Sequence, residues 1–392
     1  MTHPSTLAVR TGIETDAQHG SVVPPLFLSS SYTFDGFNRK RPYNYTRSGN
    51  PTRDLLADAL AKLEGGFGGV ITSSGMSAVH LCLSLLEPGD VLLAPKDCYG
   101  GTYRLFTSLA KKGYFRLEFI DPTDREVINK ACQKKPRMIW LETPSNPLLR
   151  ITDVRLWCEA ASNQEAIVVV DNTFLSPVLQ KPIELGADIV VHSTTKYING
   201  HSDVVGGAVI AKTQSMHEEL TWWANCLGLT GAPFDSFLTL RGLRSIQPRM
   251  EIHERNAQAV ASLLSDHPAV GNVYYPGLVN HPGHELARQQ QKGFGGMISF
   301  ELKGGEKEVI TFLNGLQYFS LAVSLGGVES LVAHPATMTH DSMDPDARER
   351  AGISDQLIRL SVGIEAGEDL CLDLESALNS LKYACFKEGS YV

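Results

Sequence analysis

Two runs of β-branched residues, IVVV at 167–170 and IVV at 189–191, constrain the fold of this chain more than any other feature. Runs of this kind mark strands buried on both faces, and such strands belong to parallel sheets. The first ends at Asp171; the second is followed by His192 and then Ser193-Thr194-Thr195-Lys196. Residues 177–185 supply a short crossover between them, with Gly186 as its stop signal. Two parallel strands therefore deliver an acid and an amine to one edge of a sheet, where open α/β sheets bind ligands.

An aspartate and a lysine converging on one edge suit pyridoxal phosphate. The lysine forms a Schiff base with the aldehyde, and the acid keeps the pyridine nitrogen protonated so that the ring accepts electrons. Ser193 and Thr195 offer hydroxyls to a phosphate beside that lysine. The bland alternative is a solvated lysine and an ordinary strand-end acid. A sharper rival is that Ser193 to Lys196 reads S-x-x-K, the nucleophile motif of serine acyl-enzymes. That motif needs S-D-N and K-T-G companions, which are absent, and a lysine on a helix rather than just after a strand.

Upstream, Val70-Ile71 reads as a short strand leading into Thr72-Ser73-Ser74-Gly75-Met76, with Val79, Leu83 and Leu86 marking a helix. Small residues before a helix amino terminus make a phosphate cradle, because free backbone N–H groups and the helix dipole face the anion. The segment is neither a P-loop nor G-x-G-x-x-G. The next strand, 91–94, is followed by Asp97-Cys98-Tyr99-Gly100-Gly101, which places an aromatic ring near the same edge. Tyr99 suits stacking on a flat ring, and equally suits plain packing. A helix at 102–111 carries Arg104. The rhythm continues with a strand at 115–120, a helix at 126–132 and a strand at 138–141 that runs into Glu142-Thr143-Pro144-Ser145-Asn146-Pro147, a loop made rigid by two prolines. Alternation from about 67 to 212 predicts a predominantly parallel, doubly wound domain.

Residues 1–49 lack helical periodicity and form no core of their own, so the sequence predicts an arm lying against another surface, such as a second subunit. The arm carries Tyr45 and Arg47 and ends at Asn50-Pro51, a cap and first position for a helix whose Leu56, Leu60 and Leu63 share a face before Gly65-Gly66. Beyond Lys212 a helix carries Trp222-Trp223. HEELT at His217 lacks the second histidine of a zinc motif, so no metal site is supported. A long amphipathic helix at 249–265 marks a domain junction. Strands at 273–275, 297–302 and 357–362 and helices at 285–291, 307–313 and 370–381 then mix into a smaller α+β domain. Arg359, inside the strand LIRLSVG, needs an anionic partner, and a substrate carboxylate serves.

Length and composition fit two domains of an ordinary enzyme: 392 residues, 43% hydrophobic and 20% charged. A net charge of −8 provides no basic field for nucleic acid. Seven cysteines without C-x-x-C spacing read as reduced thiols. The amino terminus has no apolar h-region and no run reaches membrane-spanning length, so neither membrane nor nucleic acid is expected as a partner, and the expected location is cytoplasmic.

With these residues placed, the chain resembles the Cys/Met-metabolism (trans-sulfuration) family of pyridoxal-phosphate enzymes over essentially its whole length. The resemblance rests on VVPPLFLSSSYTF, YTRSGNPTRD, DCYGGTYRLF, ETPSNPLLR, VVDNTFLSP, HSTTKYINGHSDVVGG, WWANCLGLTG, SLGGVESL and LIRLSVGIE. The lysine segment is highly specific to the family, and the YGG and WWAN segments favour its γ-synthase branch. The resemblance implies an α/β fold of the PLP-dependent transferase fold type I, aspartate-aminotransferase-like. In it, a large doubly wound, mainly parallel domain (61–248) is joined to a smaller C-terminal α+β domain (249–392), with an N-terminal arm (1–60) contacting the neighbouring subunit. It further implies a homotetramer, a dimer of dimers sharing active sites.

Residue by residue, the resemblance implies that Lys196 holds pyridoxal 5'-phosphate and shuttles protons along the substrate. Asp171 pairs with the ring nitrogen and Tyr99 stacks on the ring. Gly75, Met76, Ser193 and Thr195 hold the phosphate, with Tyr45 and Arg47 completing the grip from the neighbouring subunit. Arg359 binds the substrate α-carboxylate, Asn146 and Ser324 are further substrate contacts, and Arg104 meets the distal carboxylate of a succinyl ester. The implied reaction is a transferase step of methionine biosynthesis: O-succinyl-L-homoserine and L-cysteine give L-cystathionine and succinate. A sulfhydrylase or γ-lyase of the same family is the alternative. Asn44 and Val323 depart from the synthase pattern, which has acidic residues there to seat the cysteine; Gly101 departs from the γ-lyases, which have cysteine after Tyr-Gly. A non-catalytic binding protein would keep the cradle but have no use for the lysine.

Overall fold

The two β-branched runs form neighbouring parallel strands, with Asp171 opposite Val191. The computed structural model describes residues 2–162, 164–341 and 345–387; the last residues of the expected C-terminal domain, 388–392, lie outside the described residues. Around that pair lies a sheet of seven strands: β1 (Gly68–Thr72), β2 (Val91–Pro95), β3 (Arg116–Ile120), β4 (Met138–Glu142), β5 (Ile167–Asp171), β6 (Ile189–Ser193) and β7 (Gly207–Ala211). Their order is β1-β7-β6-β5-β4-β2-β3. β3 to β6 and β2 run parallel, whereas β7 is antiparallel to both β6 and β1.

Both faces are covered, which is why the central strands are apolar throughout. On one face Ala78, Val79 and Phe106 pack with Trp140, Val169 and Val191. On the other, Leu56 and Leu60 pack against Val190 and Ile210, and Trp157 against Ile139 and Val168. The helix Pro51–Glu64 has the expected ends: the Asn50 side chain accepts from the N–H groups of Thr52 and Arg53, and Gly65 closes the helix at φ 78°. One expectation fails in the arm, where Pro4–Arg10 is helical and the His3 side chain caps it through the N–H of Ser5. Seven residues are too few to show a 3.6-residue period.

A buried polar network pins the carboxyl ends of β4, β5 and β6 from behind. Glu64, the last helical residue, shares a 2.6 Å hydrogen bond with His192 and accepts another at 2.9 Å from Asn172. Asn172 also donates to Gln180 O, and Gln180 donates to Thr143 O. The loop after β4 is fixed on its other side, where Ser145 donates to the buried Asp97 at 2.8 Å. Both of its prolines follow cis peptide bonds.

A second sheet of five strands holds β8 (Val270–Tyr274), β9 (Met297–Leu302), β10 (Ser320–Leu321), β11 (Leu331–Ala333) and β12 (Leu357–Ser361), in the order β10-β11-β12-β9-β8. The helices Ile246–Asp266, Glu306–Gly315 and Gly367–Lys387 cover it through Val260, Leu264, Phe312 and Leu374. Helix Ile246–Asp266 also reaches the first sheet's core through Ile246 and Met250. Among the described residues, no helix is long and apolar enough to cross a membrane.

Candidate active site

The carboxyl ends of β2, β4, β5 and β6 meet the second sheet around a cavity of about 530 Å³. Order in the first sheet reverses between β4 and β2, so the loops leaving these two strands diverge and open a crevice there. Lys196 follows β6 on a tight turn: its N–H donates to Ser193 O and its carbonyl accepts from Gly200 N. Its amine points across the cavity and donates to Ser324 Oγ at 2.7 Å. Burial, and then the Arg359 guanidinium, pull this amine down to about 8, which raises its neutral, nucleophilic fraction.

Asp171 lines the cavity beside it at the end of β5. The N–H of Thr173 donates to its carboxylate at 3.0 Å, yet burial raises its pKa above the ordinary carboxylate range. A buried acid in that condition is stabilised as an anion by a cationic partner, and a protonated pyridine nitrogen is one. The phosphate side fits equally well. Ser74 caps the helix Gly75–Leu83 through Ser77 N, leaving the first-turn amides of Gly75 and Met76 outside the intrahelical pattern. A Cβ at Gly75 would stand 2.8 Å from Ser193 Cβ; with glycine there, the two segments close together and present backbone amides and the Ser193 side chain to an anion. Thr195 Oγ1 accepts from Gly206 N at 3.0 Å and lines the same wall. The residues therefore fit pyridoxal phosphate.

Tyr99 precedes the helix Gly100–Lys111 with its ring at the cavity. A Cβ at Gly101 would lie 2.6 Å from the Tyr99 ring and 3.0 Å from Met76 Sδ, so glycine is what lets the ring lie where it does. The Tyr99 backbone N–H donates to Glu142 Oε2 at 2.9 Å. Glu142 is buried, lines the cavity and stands opposite Asp171 in strand register. Burial, and then Asp171, push its pKa well above the ordinary range, which favours the protonated form. Sequence reasoning missed it, although the signal was the same as for Asp171: an acid ending a fully apolar strand.

Arg359 lies on β12 and is 3% exposed. Its Nη1 donates to Asn146 Oδ1 at 2.9 Å and its Nη2 to Ser324 O at 2.9 Å, while its buried Nε has no partner. Burial lowers its pKa to about 10, so it stays cationic. A cationic fork with an open donor at a cavity wall suits a carboxylate. Ser324, which accepts from the lysine and whose carbonyl holds this arginine, has φ 102°, a strained conformation for a side chain-bearing residue. Arg104, Val323 and Asn146 also line the cavity.

Three expected residues lie elsewhere in the chain. Asn44, Tyr45 and Arg47 do not line the cavity. Arg47 Nη1 donates to Asn225 O and Asn225 Oδ1 at 2.7 and 2.6 Å, Asn44 accepts from Ser48, and Tyr45 is 48% exposed.

The family model for Cys/Met metabolism PLP-dependent enzymes matches residues 5–379. A cystathionine gamma-synthase of Escherichia coli is 56% identical over 377 residues, 96% of this chain and 98% of its own length. A cystathionine beta-lyase of Lactococcus lactis is 47% identical over 96% of this chain and 99% of its own. Among solved structures, a cystathionine gamma synthase of Xanthomonas oryzae in complex with aminoacrylate and cysteine superposes with a TM-score of 0.97 at 60% identity, covering 98% of this chain and 99% of that one.

Proposed function

The chain belongs to the Cys/Met metabolism PLP-dependent enzyme family, and from that premise we propose that it is a cystathionine γ-synthase, exchanging the succinyl ester of O-succinyl-L-homoserine for L-cysteine. Its cofactor is pyridoxal 5'-phosphate, held by Lys196, Asp171, Tyr99, Gly75, Met76, Ser193 and Thr195. The observation that carries the reading is that Lys196, its pKa lowered by burial and then by Arg359, lines one cavity together with two guanidinium groups, Arg359 and Arg104. A substrate with a carboxylate at each end would find a cation for each of them in that lining.

When bound, the cofactor supplies an aldehyde for amines and a ring that withdraws electrons from the substrate carbons. Arg359, with Asn146 and Ser324 behind it, orients the α-carboxylate so that Cα–H faces Lys196. Lys196 removes that proton and, from the same position, moves protons at Cβ, which lets the γ-ester leave with the Arg104-bound succinyl group. Asp171 would offer its carboxylate to the ring nitrogen, and Tyr99 would offer its ring to the cofactor's. The thiol then gives up its proton as its sulfur bonds to Cγ, and Lys196 returns protons to Cβ and then to Cα.

Part of the same proposal is a cytoplasmic homotetramer built from dimers, in which the arm (1–60) brings Asn44, Tyr45 and Arg47 to the neighbour's cavity, beside a cofactor domain (61–248) and a C-terminal domain (249–392). Val323 favours a second reading, a sulfhydrylase or lyase of the same family, because it puts an apolar group where a nucleophile enters.

Given O-succinyl-L-homoserine alone, the enzyme is expected to form α-ketobutyrate, ammonia and succinate slowly; adding L-cysteine diverts the flux to cystathionine. Sulfide outcompeting cysteine at equal concentration, or L-methionine cleaved faster than the ester, replaces this reading with the second.

A further inference from the structure

Exchange of an ester for cysteine asks one cavity to hold two amino acids, and the inference drawn from this rests on the γ-replacement reading. On that reading the ester's carboxylates are met by Arg359 and Arg104, and its amine is the group the cofactor's aldehyde would take up. The incoming cysteine then brings an ammonium group that stays charged. Beside Lys196, Arg104 or Arg359 that group is repelled, so it requires a carboxylate.

Among the described residues, three carboxylates line the cavity: Glu142, Asp171 and Asp341. Glu142 and Asp171 end adjacent strands on the floor, where Glu142 is turned to the Tyr99 N–H and Asp171 to the Thr173 N–H. Asp341 is exposed, and it follows Met338 and Thr339 along the rim that these residues also line. Val323, on the lip of the same cavity, is 60% exposed and offers a cation nothing. We propose that Asp341 is a specificity-determining residue that seats the ammonium group of the amino-acid nucleophile, and so separates cysteine from sulfide and from thiols that lack an amine.

The test compares L-cysteine with 3-mercaptopropionate, which keeps the thiol and the carboxylate and lacks the ammonium group. Holoenzyme with saturating O-succinyl-L-homoserine is assayed for thioether formation in wild type, Asp341→Asn and Asp341→Glu. In Asp341→Asn the KM for L-cysteine is expected to rise about two- to fivefold, the size of an exposed charge pair, with the KM for 3-mercaptopropionate unmoved. Asp341→Glu keeps the charge and is expected to keep the preference. No rise, an equal rise for both thiols, or loss of the preference in Asp341→Glu as well overturns the assignment of Asp341 and leaves γ-replacement standing. A wild-type enzyme that makes no thioether from cysteine overturns γ-replacement itself, and the assignment with it.

Discussion

Ser324 Oγ accepts a 2.7 Å hydrogen bond from Lys196 Nζ, so the amine delivered by one sheet is held by a hydroxyl belonging to the segment before β11 of the other. The same residue's carbonyl holds Arg359. Lys196 and Arg359 thus share one support, and the two influence each other: the guanidinium helps to lower the amine's pKa.

That lowering has a sign in the stability of cofactor-free protein. Lys196 titrates at about 8 folded against 10.5 unfolded. Between these values the unfolded chain binds the extra proton, so stability rises with pH; below 8 the cost of burying the cation is fully present. Lys196→Met, which has no charge to bury, is expected to be more stable than wild type near neutrality. The difference should narrow from pH 8 towards 10. Thermal unfolding of the two cofactor-free proteins across that range checks it, and a constant gap would contradict the burial account.

Arg359 makes two directed contacts with one fork, to Asn146 and Ser324, and its buried Nε has no partner. Lysine cannot reproduce that geometry. Arg359→Lys is expected to lose roughly two to three orders of magnitude in kcat/KM for the ester, the scale of a broken buried ion pair, mostly through KM. Steady-state kinetics at varied ester concentration measure it.

Glu142 holds the turn that carries the Tyr99 ring. Glutamine keeps an oxygen for the Tyr99 N–H and the shape of a protonated carboxyl, so Glu142→Gln should bind cofactor as wild type does. Glu142→Ala leaves the Tyr99 N–H unsatisfied and should weaken cofactor binding by about 1–3 kcal/mol. Fluorescence titration of cofactor-free protein with pyridoxal phosphate separates the two. A defect as large in the glutamine variant would mean that the carboxyl is charged.

Arg47 supplies a test of shared sites. Inactive Arg47→Ala and Lys196→Ala proteins, mixed under conditions that exchange subunits, are expected to regain up to about a quarter of wild-type activity, because half of the subunits lie in hybrid dimers and each such dimer has one site with both residues intact. Exchange demonstrated by mass spectrometry without recovered activity would place the arm's action elsewhere.

The placing of Lys196 and Asp171 was legible because unbroken β-branched runs have one reading in a sheet covered on both faces. The strand GAVIA at Gly207–Ala211 was not, since its direction depends on pairing with both β6 and β1, and a reversed strand looks the same in sequence as a parallel one. Glu142 went unread because the prolines after it drew attention to the loop rather than to the end of β4. Ser324 entered through resemblance alone; nothing in SLGG announces a positive φ. The short strands Ser320–Leu321 and Leu331–Ala333 were missed because two or three residues carry no period.

The helix Ile246–Asp266 acts as a gauge bar between the two halves of the chemistry. Near its start Arg249 donates to the carbonyls of Tyr197, Ile198 and Gly242, gripping the turn that follows Lys196. One and two turns on, His253 bonds Val362 O, and Asn256 donates to Gly363 O and Glu365 O, gripping the chain just past Arg359. The spacing of Lys196 and Arg359 is therefore held along about seven residues of α-helix as well, roughly 10 Å of rise, by three side chains that do not line the cavity. Loosening Arg249 or His253 would therefore disturb the spacing of Lys196 and Arg359 from a distance, as a worn jig spoils a joint it never meets.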